Sequence, residues 1–237
     1  IGKRKLYNIK SVTIIGGIAL GLYLLKNVAL NISPKVSKTE QSKISIGKFL
    51  INPKIISFFF FIFIPYLVMS YFLYYFFPLF ADQNNITTTR IAQAFLLNGI
   101  FVVYLGPLLA PKLEKLFSKK INMIIGSLLS VVALGLFALK PSLTTAVIAL
   151  IILGVADSFT FTAQNIYYNT LEIVNKFGIS KANGIKNTFE NIAYVMAPAI
   201  FGIAMLSGIS YGILLIALTS LVLLGLFFIN LENLKKG

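Results

Sequence analysis

The chain has 237 residues, 57% of them hydrophobic and 12% charged, and its mean hydropathy is +0.87, more apolar side chain than a water-soluble surface can cover. Its net charge of +14 would suggest nucleic acid in a soluble domain, but the Lys and Arg residues lie almost entirely between apolar runs, where they orient membrane helices. The lack of Cys and His removes disulfides, thiolate nucleophiles, zinc ligand sets and imidazole chemistry, so an enzyme, a metal and a cofactor are not expected.

The composition therefore predicts an all-α polytopic membrane protein whose first partner is the lipid bilayer. The sequence opens on Ile1 without a charged-then-apolar leader, which we read as a piece of a longer protein. A helix needs roughly 20 apolar residues to cross about 30 Å of hydrocarbon, and seven stretches qualify. They run over 11–30, 54–80, 89–110, 121–139, 143–170, 185–206 and 211–231.

In the first of these, Gly16, Gly17 and Gly21 permit close helix packing. Residues 31–53 form the long polar connector. Within it Ile44, Ile46, Phe49, Leu50 and Ile51 read either as a short amphipathic helix on the membrane surface or as a plain linker. The nearest approach to a P-loop, Ile46-Gly47-Lys48-Phe49, lacks the spacing for ATP, so any transport is passive, ion-coupled or driven by another subunit. The second segment is crowded with Phe and Tyr, and Pro65 should bend it.

The third segment ends in Gly106-Pro107-Leu108-Leu109-Ala110-Pro111-Lys112-Leu113-Glu114-Lys115-Leu116-Phe117-Ser118-Lys119-Lys120. This run resembles the short basic loop between the second and third helices of each half of major facilitator superfamily transporters, roughly G-x-L-a-D-R-x-G-R-[RK]. Gly106, Leu108 and the closing Lys119-Lys120 fit, Lys112 and Lys115 supply interior bases, and the Asp and second Gly of the pattern are missing.

Charge counting agrees with that topology. In the last six segments the alternate connections hold fourteen bases (Lys35, 38, 43, 48 and 54; 112, 115, 119 and 120; 176, 181 and 186; 235 and 236) against Arg90 and Lys140, which makes the first set and the C-terminus cytoplasmic. Lys3, Arg4, Lys5 and Lys10 stand against this assignment, because they would lie outside.

The resemblance implies half of a major facilitator-like fold. Residues 1–30 are then a basic lead-in and the sixth helix of a missing N-terminal half, 31–53 a cytoplasmic connector, and 54–237 a C-terminal six-helix bundle. It implies a secondary active transporter of a small-molecule substrate, proton- or ion-coupled, working by alternating access in a bacterial cell membrane with the N-terminal half of the same protein as partner. The rival is a transporter-like sensor or anchor module of a larger signalling protein.

The most costly residue is Asp157, a carboxylate at the middle of the fifth segment, where insertion of a charge costs about 2.5–3.5 kcal/mol. At helical spacing Phe161, Gln164 and Tyr168 follow it on one face with Thr160 beside them. Asp157 is either a coupling site or a structural bond to Ser158, Thr160 or a neighbour's Asn. In the sixth segment Asn187, Glu190, Asn191, Tyr194 and Pro198 share a face. There Glu190 is expected to pair with Lys186 at i,i+4, the alternative being a place in the pathway. In the family the first, second, fourth and fifth helices of each half line the substrate site, which adds Asn98 to Asp157, Gln164, Asn187, Asn191 and Glu190 as pathway candidates. Gly106, Lys112, Lys115, Lys119 and Lys120 become the cytoplasmic gating loop. Asn and Gln also join membrane helices, so these amides remain open to that role.

Overall fold

A computed structural model describes residues 44–236, with side chains over 44–229. The segment expected at 11–30, the bases before it and the connector up to residue 43 lie outside the described residues. Eight helices follow in order: α1 (Ile46–Leu50), α2 (Pro53–Gln83), α3 (Thr88–Leu116), α4 (Lys119–Leu139), α5 (Leu143–Thr170), α6 (Glu172–Phe177), α7 (Ile179–Leu206) and α8 (Ile209–Lys236). Six of them, all but α1 and α6, are long and apolar enough to cross a membrane.

Local chemistry sets the helix ends. Ser45 and Asn52 accept hydrogen bonds from the N–H groups of Lys48 and Lys54, opening α1 and α2, with Pro53 in the first turn of α2. Ser142 and Thr145 form a reciprocal capping box at the start of α5. Gly178 (φ 100°) turns the chain between α6 and α7, and Gly208 (φ 96°) does so between α7 and α8, both in conformations that disfavour a side chain.

The bend expected at Pro65 takes a specific form. Three wide, π-helical turns occur at Phe59–Phe63, Phe72–Phe76 and Leu105 with the four residues before it, and Pro65, Pro78 and Pro107 each follow two residues later. A proline lacks the N–H for the normal ladder and its ring clashes with the carbonyl four residues back; a widened turn moves that carbonyl aside and keeps the helix continuous.

The same device corrects the expectation for the third segment. The run from Gly106 to Leu116 is helix and extends α3, so Lys112 and Lys115 ride on its last exposed turns, and only Phe117 and Ser118 separate α3 from α4. The short stretch around Phe49 is α1, but Phe49 does not lie on a membrane surface: it is fully buried and stacks on Phe177 of α6 at 4.3 Å.

Helix α4 packs along α5 and α8, α7 packs against α2 and α8, and α3 lies on α5. The buried residues fall into two cores. One gathers Phe72, Phe76, Phe80, Phe137 and Phe201. The other gathers Phe49, Phe58, Phe59, Phe63, Tyr167, Tyr168 and Phe177, at the end that carries α1 and α6. At that end Lys176 Nζ lies 2.5 Å from Glu172 Oε1, and the hydrogen bond and positive charge hold this exposed carboxyl below its ordinary range. Helices α3 and α7 bury the least of themselves, and Leu96, Val103, Tyr104, Val195 and Ile203 stand exposed on them.

Candidate functional site

Asp157 sits midway along α5, and its carboxylate reaches α2 rather than its own neighbours. Tyr66 and Ser70, one turn apart on α2, both donate to Asp157 Oδ1, the Ser70 hydroxyl at 3.0 Å. Neither expected partner is used: Ser158 Oγ donates to the Val155 carbonyl, and Thr160 Oγ1 donates to the Ala156 carbonyl at 2.6 Å. Tyr66 belongs to one hydrophobic core while Val68 and Met69 belong to the other. The carboxylate is therefore held where the two cores meet.

Thr160 faces α4, against Gly126, where a methyl group on the glycine would fall 1.6 Å from the Thr160 hydroxyl. Its side chain also lies beside the Tyr66 hydroxyl, whereas Tyr168 is packing: its hydroxyl donates to the Ala182 carbonyl at 2.7 Å and ties α5 to the start of α7. Gln164 is different. It is 0% exposed, and neither its Nε2 nor its Oε1 meets a partner. A buried primary amide with both ends unpaired costs about 1–3 kcal/mol and calls for a polar visitor or water.

Asn98 is 4% exposed and donates from Nδ2 to the Leu150 carbonyl at 2.9 Å, which binds α3 to α5. Gly154 allows this approach, since a Cβ there would stand 2.9 Å from Asn98 Nδ2. Gly106 makes a second contact of the same kind, 3.1 Å from the Ser158 carbonyl oxygen to an added Cβ. These two residues join helices; neither is brought to Asp157.

On α7, Asn187 and Asn191 are exposed and make no side-chain hydrogen bond among the described residues. Asn191 lines a shallow apolar depression with Thr188, Ile192, Val195 and Met196. Glu190 does not form the expected pair with Lys186. Its Oε1 accepts from the Tyr194 hydroxyl at 2.9 Å, and Tyr194 stacks on Tyr71 of α2 with ring centres 5.6 Å apart.

Lys186, grouped above with the loop bases, lies within α7, is 6% exposed and donates to Asn165 Oδ1 of α5. Its ammonium rests 5.8 Å from the centre of the Phe63 ring and 5.4 Å from that of Phe161. Lys119 is exposed at the start of α4, and Lys120 Nζ sits 5.8 Å from the centre of the Tyr167 ring.

The assembled site thus draws on α2, α5 and α7. Sequence reading singles out Asp157, Gln164 and Glu190, names Tyr194 and Lys186 only as neighbours of Glu190, and passes over Tyr66 and Ser70. Tyr66 and Ser70 stand at i,i+4, a spacing that signals one helix face, but they are hidden in an aromatic-rich stretch where Tyr is ordinary. Among the described residues no three acidic side chains come close enough to hold a metal ion.

No curated protein and no solved structure matches the chain. Residues 8–172, more than half of it, match the Major Facilitator Superfamily. A family match of that extent joins an all-helical fold with six apolar, membrane-length helices, and the chain belongs to the major facilitator superfamily and is an integral membrane transporter.

Proposed function

We propose that this transporter is a secondary one, moving a small solute by alternating access with Asp157 as its ionisable coupling group. The observation that carries the reading is a carboxylate at the centre of α5 bonded to two hydroxyls of α2. Intramembrane acids of this kind mark ion pathways. Protonation weakens an acceptor that joins two helices, so gain or loss of the proton changes how firmly α2 and α5 are held together. That gives the proton a differential hold on two arrangements, which coupling requires.

In the same reading residues 54–237 are the C-terminal half and the segment at 11–30 is the last helix of an N-terminal half. That half is the partner against which this bundle rocks. The sparsely buried α3 and α7 supply the surface for it, with Gln164, Glu190, Asn187 and Asn191 toward the pathway and Asn98 beside it. Gly106, Lys112, Lys115, Lys119 and Lys120 form the cytoplasmic gating segment of a protein in a bacterial cell membrane, with its C-terminus inside. The family match favours transport over a sensor or anchor module.

The test is uptake into proteoliposomes of the full-length protein across external pH, with a panel of labelled solutes. Asp157→Asn keeps the shape and most hydrogen bonds but cannot ionise, so accumulation should vanish while exchange down a gradient survives. Unchanged, pH-dependent accumulation by this variant removes Asp157 from coupling.

A further inference from the structure

A buried ammonium in a membrane helix costs several kcal/mol unless an anion or a full set of acceptors meets it. Lys186 has neither. Its three N–H donors find one acceptor, the Asn165 amide oxygen, and the faces of Phe63 and Phe161. Two carboxylates stand in the same interior, and each is served by other groups. Glu190, one turn further along α7, accepts from Tyr194, and Asp157 accepts from Tyr66 and Ser70. Among the described residues no carboxylate oxygen lies within ion-pairing distance of Lys186.

An amide oxygen and two aromatic faces hold a cation in place without neutralising it. That arrangement suits a cation whose counter-charge arrives from outside. The route is short. Phe161, which lies against the ammonium, is itself 37% exposed, and Asn165 is half-buried, so two of the groups around Nζ reach the surface of the described residues. Gln164, next to Asn165 in sequence, is a second buried polar group of this stretch of α5 with no partner at either end of its amide.

We propose that Lys186 is the recognition point for an oxyanion carried by the solute, so that the substrate is a small organic anion bearing a carboxylate or a phosphate ester. This rests on the transporter reading above and names the chemical class of its cargo.

The experiment is thermal unfolding of the purified full-length protein in detergent, titrated with succinate, glucose 6-phosphate and inorganic phosphate, and with glucose and choline as neutral and cationic controls. At least one oxyanion should raise the unfolding temperature while glucose and choline do not. Succinate alone assigns a carboxylate, glucose 6-phosphate alone a phosphate ester, and inorganic phosphate shows that the anion suffices without its carbon skeleton.

Lys186→Met should raise the half-saturating concentration about tenfold or more, the loss of one charge-assisted contact, while Lys186→Arg should retain most of the shift. A shift that survives in Lys186→Met overturns the proposal, and so does a wild-type protein that responds to choline or glucose alone or to none of the solutes. The last two readings need no variant and stand even if Lys186→Met fails to fold. A protein that shows counterflow of labelled solute yet ignores oxyanions sinks this inference alone. One that binds oxyanions but shows no counterflow sinks the transport reading instead.

Discussion

Tyr66 of α2 donates its hydroxyl to the carboxylate of Asp157 on α5, across the middle of the membrane-spanning bundle. Hydrogen bonds between membrane helices average about 0.6 kcal/mol and reach about 1.7, and those to a charged acceptor run higher. Tyr66→Phe should therefore lower stability by roughly 1–2 kcal/mol, leaving Ser70 as the remaining donor. In the Asp157→Leu background the acceptor is gone, and the same Tyr66→Phe change should cost almost nothing. Reversible unfolding in bicelles of the two single variants and the double variant measures the coupling. Strict additivity would mean that the two side chains do not depend on each other.

The close pairing of α4 with α5 makes a second prediction. A Cβ added to Gly126 would lie 2.7 Å from Thr160 Cβ and 2.9 Å from its Cγ2, besides the clash with the hydroxyl. A β-branched side chain on a helix has little freedom to withdraw, so Gly126→Ala should force the helices apart at about 1–3 kcal/mol. Gly135, about two and a half helical turns away on α4, has no atom within 4 Å of such a Cβ. Gly135→Ala should be neutral or gain up to about 1 kcal/mol from helix propensity. Comparing the two unfolding temperatures checks this, and equal values would refute the close approach.

These two relationships show how far the sequence can be read. The spanning helices are visible in it because 20-residue apolar runs have few alternatives in a chain this hydrophobic. The end of α3 is not, because Pro107, Pro111 and the bases after them look like a basic loop, while the wide turn at Phe101–Leu105 lets the helix continue. Asp157 stands out by its cost alone. Its partners do not, since Tyr66 lies among Phe and Tyr residues and the choice between Ser158, Thr160 and α2 is made by helix rotation, which local periodicity leaves open. Lys186 and Glu190 have ideal spacing for a surface pair, but the lysine turns to Asn165 of α5 and the glutamate to Tyr194 on its own helix.

The order of the helices fixes which connections share a side. Ser118 lies between α3 and α4, and Ser207 lies between α7 and α8, with three spanning helices (α4, α5 and α7) between them, so the two connections face opposite sides. Both serines are exposed and the chain has no Cys. Single Cys replacements should then react with a membrane-impermeant maleimide from opposite faces, Ser118→Cys from the cytoplasm by the charge assignment. Reaction of both from one side would break the helix count, and exchange of the two sides would invert the topology.

Gln164 provides the last prediction, because its burial sets stability against function. Its amide is fully buried on α5 with no partner at either end, so its desolvation is unrepaid within the protein. Gln164→Leu has nearly the same volume and no polar atoms, and it should raise stability by about 1–3 kcal/mol. If the amide is there to meet the solute beside Lys186, the stabilised variant should transport worse, with the half-saturating solute concentration rising about tenfold for one lost buried hydrogen bond. Gln164→Glu separates the two effects, since it keeps a polar group but adds a negative charge next to a site that should receive an anion, and it should abolish transport of oxyanions. The readouts are unfolding temperature and the concentration dependence of counterflow, measured on the same preparations. A Gln164→Leu protein that is both more stable and fully active would leave the residue as packing only, and a less stable one would mean that its amide is already satisfied.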